Sequence, residues 1–229
     1  MTSKDERQSR SRRAGAASGV AGGGTAEASR PPSARRSRRA FDRDEALDSA
    51  LKEFWTHGYE ATSIASLTKA MGINPPSLYA AFGDKRQLFD EVVQLYQQRA
   101  YRSTPSADGH DARTAIHATL RQLAADYTDP RHPPGCLIIT AATNCGPDAQ
   151  DVKTKLRALR EEAKEAIAAR IRQDVEARRL PPDTDAEGLA SFYSTVIQGM
   201  SQQATDGASR DVLEGVADSA MLVWPGARD

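Results

Sequence analysis

From Gly72 to Phe82 the chain reads GINPPSLYAAF, two successive prolines inside a region that is otherwise helical in its spacing of apolar residues. Proline fixes φ and has no N–H to donate, so a proline pair next to helical sequence fits at the first turn, where those N–H groups have no intrahelical partner. Asn74 directly before it is a strong N-cap, and the spacing therefore predicts a helix beginning at Pro75. Gly72 ends the segment before it. Leu78 and Phe82, at i and i+4, mark the buried side, and Ile73 with Leu78 forms a hydrophobic staple. The opposite side carries Pro75, Pro76, Ser77, Tyr79 and Ala80, with no charge before Asp84, and Gly83 closes the helix.

The flanking sequence is helical too. Asp42 and Glu45 have the spacing of a capping box ahead of Leu47, Ala50, Leu51, Phe54 and Trp55, with His57 and Gly58 at the expected end. Thr62 or Ser63 caps a short helix carrying Ile64, Leu67 and Met71. Asp84 and Gln87 open a longer one with Leu88, Val92, Leu95, Tyr96 and Arg99. Two short helices joined by a glycine-led turn, the second with a small neutral face, make a helix-turn-helix. Such a face suits base edges, where bulk and desolvation oppose contact, whereas cations belong at its margins beside phosphates. Lys85 and Arg86 are candidates there, together with Arg35, Arg36, Arg38 and Arg39.

Those four arginines belong to a segment whose charge the formal net of zero conceals. The first 40 residues hold 10 Lys+Arg against 3 Asp+Glu, a net of +7, and the remaining 189 net −7. With a middle of AGAASGVAGGGTAEAS the segment cannot build a core, and it reads as a disordered basic arm for a polyanion. A solubilising tail is the plainer alternative. A transit peptide fits less well because no amphipathic period is present.

The stretch from Phe41 to Val93 resembles the N-terminal DNA-binding domain of the TetR family of bacterial transcriptional regulators, most specifically in F-x-x-x-G-Y-x-x-T-S at Phe54 to Ser63 and L-Y-x-x-F-x-x-K at Leu78 to Lys85. The resemblance implies that Thr62 or Ser63, Tyr79 and Lys85 hold the DNA backbone. It puts Asn74, Pro75, Pro76, Ser77 and Ala80 where the family reads or approaches bases. Ala80 and Ala81 stand where many members carry His, so readout here leans on apolar contact with thymine methyls. It further implies a homodimer built on the last two helices, a palindromic operator with recognition helices ~34 Å apart, and a small-molecule effector of unknown identity.

The C-terminal half has the same all-helical pattern. Ile116, Leu120, Leu123 and Tyr127 define one helix. A short apolar helix is expected from Gly135 to Asn144, and a helix of about 30 residues from an Asp148 cap to Pro181, carrying Val152, Leu156, Leu159, Ala163, Ile167, Ile171 and Val175. Thr184 with Glu187 caps the next, and Ser209 starts the last. The wide stripes of these two helices nominate Leu189, Phe192, Val196, Met200, Leu213, Val216, Ala220 and Trp224 for a dimer interface. A pocket is expected among Tyr96, Leu120, Leu123, Ile138, Ile167, Ile171 and Tyr193, each of which also reads as ordinary core.

Other classes are less well supported. No G-x-S-x-G, H-E-x-x-H or P-loop is present, so an enzyme is not indicated. His132 and Cys136 have a metal-like spacing, but Pro133 separates them, and neither a metal nor a cofactor is expected. Cys136 and Cys145 are read as reduced thiols: on one helix they would lie about 13.5 Å apart, too far for a disulfide. No apolar run approaches the ~20 residues of a membrane span, and a cytoplasmic location is expected. The expectation is an all-α regulator of the repressor type in three parts: a basic arm (1–40), a helix-turn-helix domain (41–88) and a helical effector-binding and dimerisation domain (89–229).

Overall fold

The structure, a computed structural model, describes residues 42–103, 111–143 and 145–226. Arg35, Arg36, Arg38 and Arg39 lie outside the described residues. Among the described residues the regular elements are helices: α1 (Arg43–Ala61), α2 (Ile64–Met71), α3 (Pro75–Phe82), α4 (Lys85–Ser103), α5 (Ala112–Tyr127), α6 (Leu137–Thr140), α7 (Gln150–Glu176), α8 (Ala186–Thr205) and α9 (Arg210–Ala220).

The caps account for the boundaries of the first three. The Asp42 carboxylate accepts the N–H groups of Asp44 and Glu45 at 3.0 and 3.1 Å. The expected stop at Gly58 is a break (φ 76°, ψ 172°) inside α1, after which one more turn forms. Ser63, not Thr62, caps α2, with Ser66 completing a reciprocal box: each hydroxyl accepts the other's backbone N–H, at 3.0 and 3.1 Å. Gly72 ends α2 at φ 68°, its N–H bonded to the Lys69 carbonyl and that of Ile73 to the Thr68 carbonyl, the paired bonds of a Schellman turn. Asn74 Oδ1 then accepts the Ser77 N–H at 2.9 Å, and the two prolines occupy the first two positions of α3.

Nothing lies within 4 Å of where a Gly72 side chain would start, so what this site demands is the left-handed backbone alone. Gly72→Ala is expected to cost about 1 kcal/mol, measurable as a lower urea midpoint with an unchanged slope.

Phe54, Tyr59 and Phe89 form an aromatic centre, Phe89 meeting the other two edge-on with ring centroids 5.0 Å apart. Around it Leu51, Leu67, Leu78 and Leu88 are fully buried. This core does not close within the first four helices, because Leu137, Ala141, Val152 and Leu156 of the following segments pack into it. Three polar ties cross the same boundary. The Tyr59 N–H donates to the Ala141 carbonyl at 2.8 Å, Lys155 pairs with Asp90 at 2.6 Å, and Arg86 pairs with Asp151.

Five expectations for the second half need correction. The apolar segment after Gly135 makes only the single turn α6: the Ala141 carbonyl, which would carry the helix onward, receives the Tyr59 N–H. Cys136 caps α6 by position, Cys145 lies beyond it, and both are free thiols, so they share no helix. The long helix α7 has 27 residues, about 40 Å, and starts after a 3₁₀ turn (Pro147–Ala149) that contains Asp148, which therefore caps nothing. The expected row is not buried along its whole length: Ala163 is exposed, although 11 residues, close to three turns, put it on the face of the buried Val152, and the buried Ala168 lies off the row. Asp185, accepting the Gly188 N–H at 2.9 Å, caps α8 in place of Thr184, which is drawn into the preceding turn with Pro181. Ser209 does cap α9.

The stripes of α8 and α9 also divide differently. Met200, Leu213 and Ala220 are buried inside the protomer, where with Leu120, Ile171 and Tyr193 they form the second core, and they cannot meet another copy. Leu189, Val196, Val216 and Trp224 are half-buried and Phe192 is exposed. Beside Phe192 the open surface carries Gly199, Val212, Gly215 and Leu222, a face of small side chains interrupted by apolar ones.

Candidate nucleic-acid interface and ligand cavity

Helix α3 is anchored by Leu78 and Phe82, both buried, and its other side is open. Asn74, Pro75, Pro76 and Ala80 are exposed, Ser77 is half-exposed, and Tyr79 is 51% accessible, with no polar group among the described residues holding it. An aromatic residue left this open on a short helix is a contact surface in waiting. Ser63, at the N-terminus of α2, is exposed beside it. Thr62 is not available: at 1% exposure, its hydroxyl donates to the Gly58 carbonyl at 2.6 Å and locks the break in α1.

The marginal cations behave less uniformly than their sequence positions suggest. The Lys85 ammonium lies 4.4 Å from the centre of the Tyr59 ring and 3.4 Å from the Glu60 carbonyl. Burial there pushes its pKa below the usual lysine value, with Glu60 acting in the opposite direction. Arg86 turns away to Asp151 and to the Asp148 carbonyl, and so ties the head to α7. Lys69, exposed in the last turn of α2, escaped the sequence reading because it belongs to no motif considered there. Arg43 packs over the Phe82 ring and pairs with Glu91 at 2.7 Å, bracing α3 against α1 and α4.

Between α4, α5, α6, α7 and α8 lies a cavity of about 670 Å³. Of the residues nominated for a pocket, Tyr96, Leu123, Ile138 and Ile167 line it. Leu120, Ile171 and Tyr193 do not; each is fully buried in the core behind it. The walls are chiefly apolar, with Ile116, Ile139, Leu159 and Ile197 completing them. At one end Tyr96 Oη donates to Cys136 Sγ at 3.2 Å, and Tyr127 lies in the same lining. Burial first, and the neighbouring thiol second, push both phenol pKa values well up, so both phenols stay protonated. Arg160, Lys164 and Arg170 of α7 supply the charge in the lining. His132 sits apart from Cys136's polar contacts, its ring stacked on Trp55 at 4.6 Å. Among the described residues no group of three metal-ligating side chains occurs, and no helix is long and apolar enough to cross a membrane.

Two family models match: "Bacterial regulatory proteins, tetR family" over residues 46–92, and "Tetracyclin repressor-like, C-terminal domain" over residues 112–218. The HTH-type transcriptional repressor ComR of Escherichia coli K12 is 34% identical across 82% of this chain and 90% of its own length. The repressor BdcR of the same organism is 32% identical across 80% and 88%. Among solved structures, a cysteine mutant of the TetR family regulator CifR, complexed with 26-bp double-strand operator DNA, is 42% identical. It superposes with a TM-score of 0.77 over 82% of this chain and 98% of that one.

Proposed function

The chain belongs to the TetR family of bacterial regulatory proteins, and we propose that it is a homodimeric repressor that binds a palindromic DNA operator through α3 and leaves it when a small molecule enters the cavity. The observation that carries this reading is the charge-free, outward face of α3 with the open Tyr79 ring. In this reading Asn74, Pro75, Pro76, Ser77 and Ala80 approach bases, while Ser63, Tyr79, Lys69 and Lys85 hold phosphates, Lys85 by leaving the Tyr59 ring. The operator-bound CifR structure supports it by resemblance. The second copy meets the face of Phe192, Gly199, Val212 and Gly215, which sets two α3 helices ~34 Å apart.

Functionally the chain divides into a basic arm (1–40), a reading head (41–88) and an effector and dimerisation part (89–229). The protein acts in the cytoplasm and catalyses nothing. The cavity is coupled to the head by short connections: Ile138 of α6 lines it, and Ala141 one residue past α6 accepts the Tyr59 N–H. A ligand that shifts α6 or α7 therefore changes the seat of α1, and only its differential affinity for the two arrangements matters.

Selection of bound sites from a random duplex pool by the full-length protein tests the reading. A two-fold symmetric site is the expected result. Good binding without enrichment would favour a sequence-independent binder driven by the arm. Removing residues 1–39 is expected to weaken binding to every duplex and flatten the dependence of log K on log salt while leaving the preferred site unchanged. Anisotropy titrations at several salt concentrations measure this, and a changed site would move specificity into the arm.

A further inference from the structure

We propose that the cavity between α4, α5, α6, α7 and α8 takes an amphipathic organic anion, a carboxylate carried on an extended apolar body, whose charged end is held by Arg160, Lys164 and Arg170 of α7. This inference rests on the reading of the cavity as the effector site and names the class of effector.

Three features of the lining carry it. The first is size and polarity: about 670 Å³ bounded mainly by isoleucine, leucine and alanine side chains accommodates a hydrophobic body of ordinary ligand size. The second is the sign of the charge. Arg160, Lys164 and Arg170 contribute three cations, and no Asp or Glu lines the cavity among the described residues. That bias stands out in a chain whose last 189 residues net −7. The third is position. The three cations all come from α7, where they are half-buried, and the exposed Ala163 and Ala166 of the same helix put this wall at the opening, whereas Ile116 of α5 is buried.

The polar atoms at the inner end do not call for a charged ligand group. The Tyr96 hydroxyl is already engaged by the Cys136 sulfur, and burial keeps the Tyr127 phenol protonated, so neither supplies a charge to a guest there. At the α7 side the Arg160 guanidinium donates to the Ile138 carbonyl at 2.7 Å, and Lys164 pairs with Glu161, an exposed residue outside the lining. A carboxylate at the opening would exchange a solvent-screened partner for charge-assisted bonds in a drier site. Arg160 adds a link to regulation. The carbonyl it holds belongs to α6, so an anion that competes for the guanidinium loosens the segment that bonds Tyr59 through Ala141.

The test is a matched pair of probes, dodecanoate and dodecan-1-ol, below their aggregation limits, titrated into the full-length protein. Binding is followed by calorimetry and by Trp55 fluorescence in a Trp224→Phe background, since Trp55 packs edge-on against Tyr96 of the lining at 4.9 Å. Dodecanoate is expected to bind about tenfold or more tightly than the alcohol. Lys164→Gln combined with Arg170→Gln should remove that preference and leave alcohol binding unchanged. Ile167→Trp, which fills the cavity, should abolish both. Equal binding of the two probes, or an unchanged preference in the double variant, would overturn the anionic class while the effector site stands. Failure of either probe, and of a wider set of neutral apolar compounds, to bind in a way that Ile167→Trp blocks would overturn both.

Discussion

Replacing Ala80 with glutamate is expected to lower affinity for the selected operator by at least about 100-fold and to leave the unfolding free energy within ~0.5 kcal/mol of the parent. Ala80 is exposed on α3 and its methyl group supports nothing inside the protein, so the new side chain has room. Glutamate is also a good helix former, and the only local penalty is its place near the negative end of the helix dipole. On DNA the same carboxylate must be buried against acceptor-rich base edges between two rows of phosphates, where like charge and desolvation each cost several kcal/mol. In a two-fold dimer the lesion occurs in both half-sites. Fluorescence anisotropy with a labelled operator measures the loss, and Gln94→Glu, exposed on α4, controls for the change in net charge. Unchanged affinity in Ala80→Glu would mean that α3 is not the reading helix.

The head was legible in the sequence because its punctuation is strong and local. Gly72, Asn74 and the proline pair each permit few backbone conformations, and the structure uses all of them in the expected roles. The choice between Thr62 and Ser63 stayed open for a different reason. A threonine and a serine in succession are equivalent as caps on paper, and only the break at Gly58 decides that Thr62 turns inward to bond a carbonyl while Ser63 stays out. Lys85 and Arg86 were placed correctly along the chain, but their side chains answer to Tyr59 and Asp151, partners that no local pattern reveals.

The second half was less legible because its surfaces are shared among several helices. A stripe of apolar residues says that a helix buries one side, without saying against what. In α8 and α9 the large apolar residues Met200 and Leu213 go to the protomer's own core, and the surface left open is rich in glycine and polar residues that hydrophobicity does not flag. The cavity shows the same ambiguity: Ile167 lines it and Ile171, one turn on, is fully buried behind it. The cations of α7 carry no signal of their own in the sequence, since helical spacing cannot tell the rim of a cavity from open surface.

Gly135→Ala is expected to destabilise the folded chain by about 3 kcal/mol, well beyond the ~1 kcal/mol of Gly72→Ala, although both sites have nearly the same backbone torsion, φ 76° and 68°. At Gly72 a methyl group would enter open space, whereas at Gly135 it would come within 2.7 Å of the Ser201 carbonyl oxygen and 2.8 Å of Thr205 Oγ1, on α8. The difference between the two variants isolates the steric part. It cannot be relieved cheaply, because the Gly135 N–H is bonded to the Tyr127 carbonyl at the end of α5 and the Cys136 N–H to the buried Ser201 hydroxyl of α8 at 2.9 Å, which pin this turn between the two helices. Relief would instead push α6 outward, taking with it Cys136 and Ile138 of the cavity and the carbonyl that receives the Tyr59 N–H. Urea unfolding of both variants, followed at Trp55, supplies the two costs. Operator titration of Gly135→Ala under conditions where it remains folded should then show weakened DNA binding, carried to the head by the bond from Tyr59 to Ala141 and by the contact of His132 with Trp55 of α1. Equal costs for the two substitutions would mean that this turn yields without strain, and would remove α6 as the connection between cavity and head.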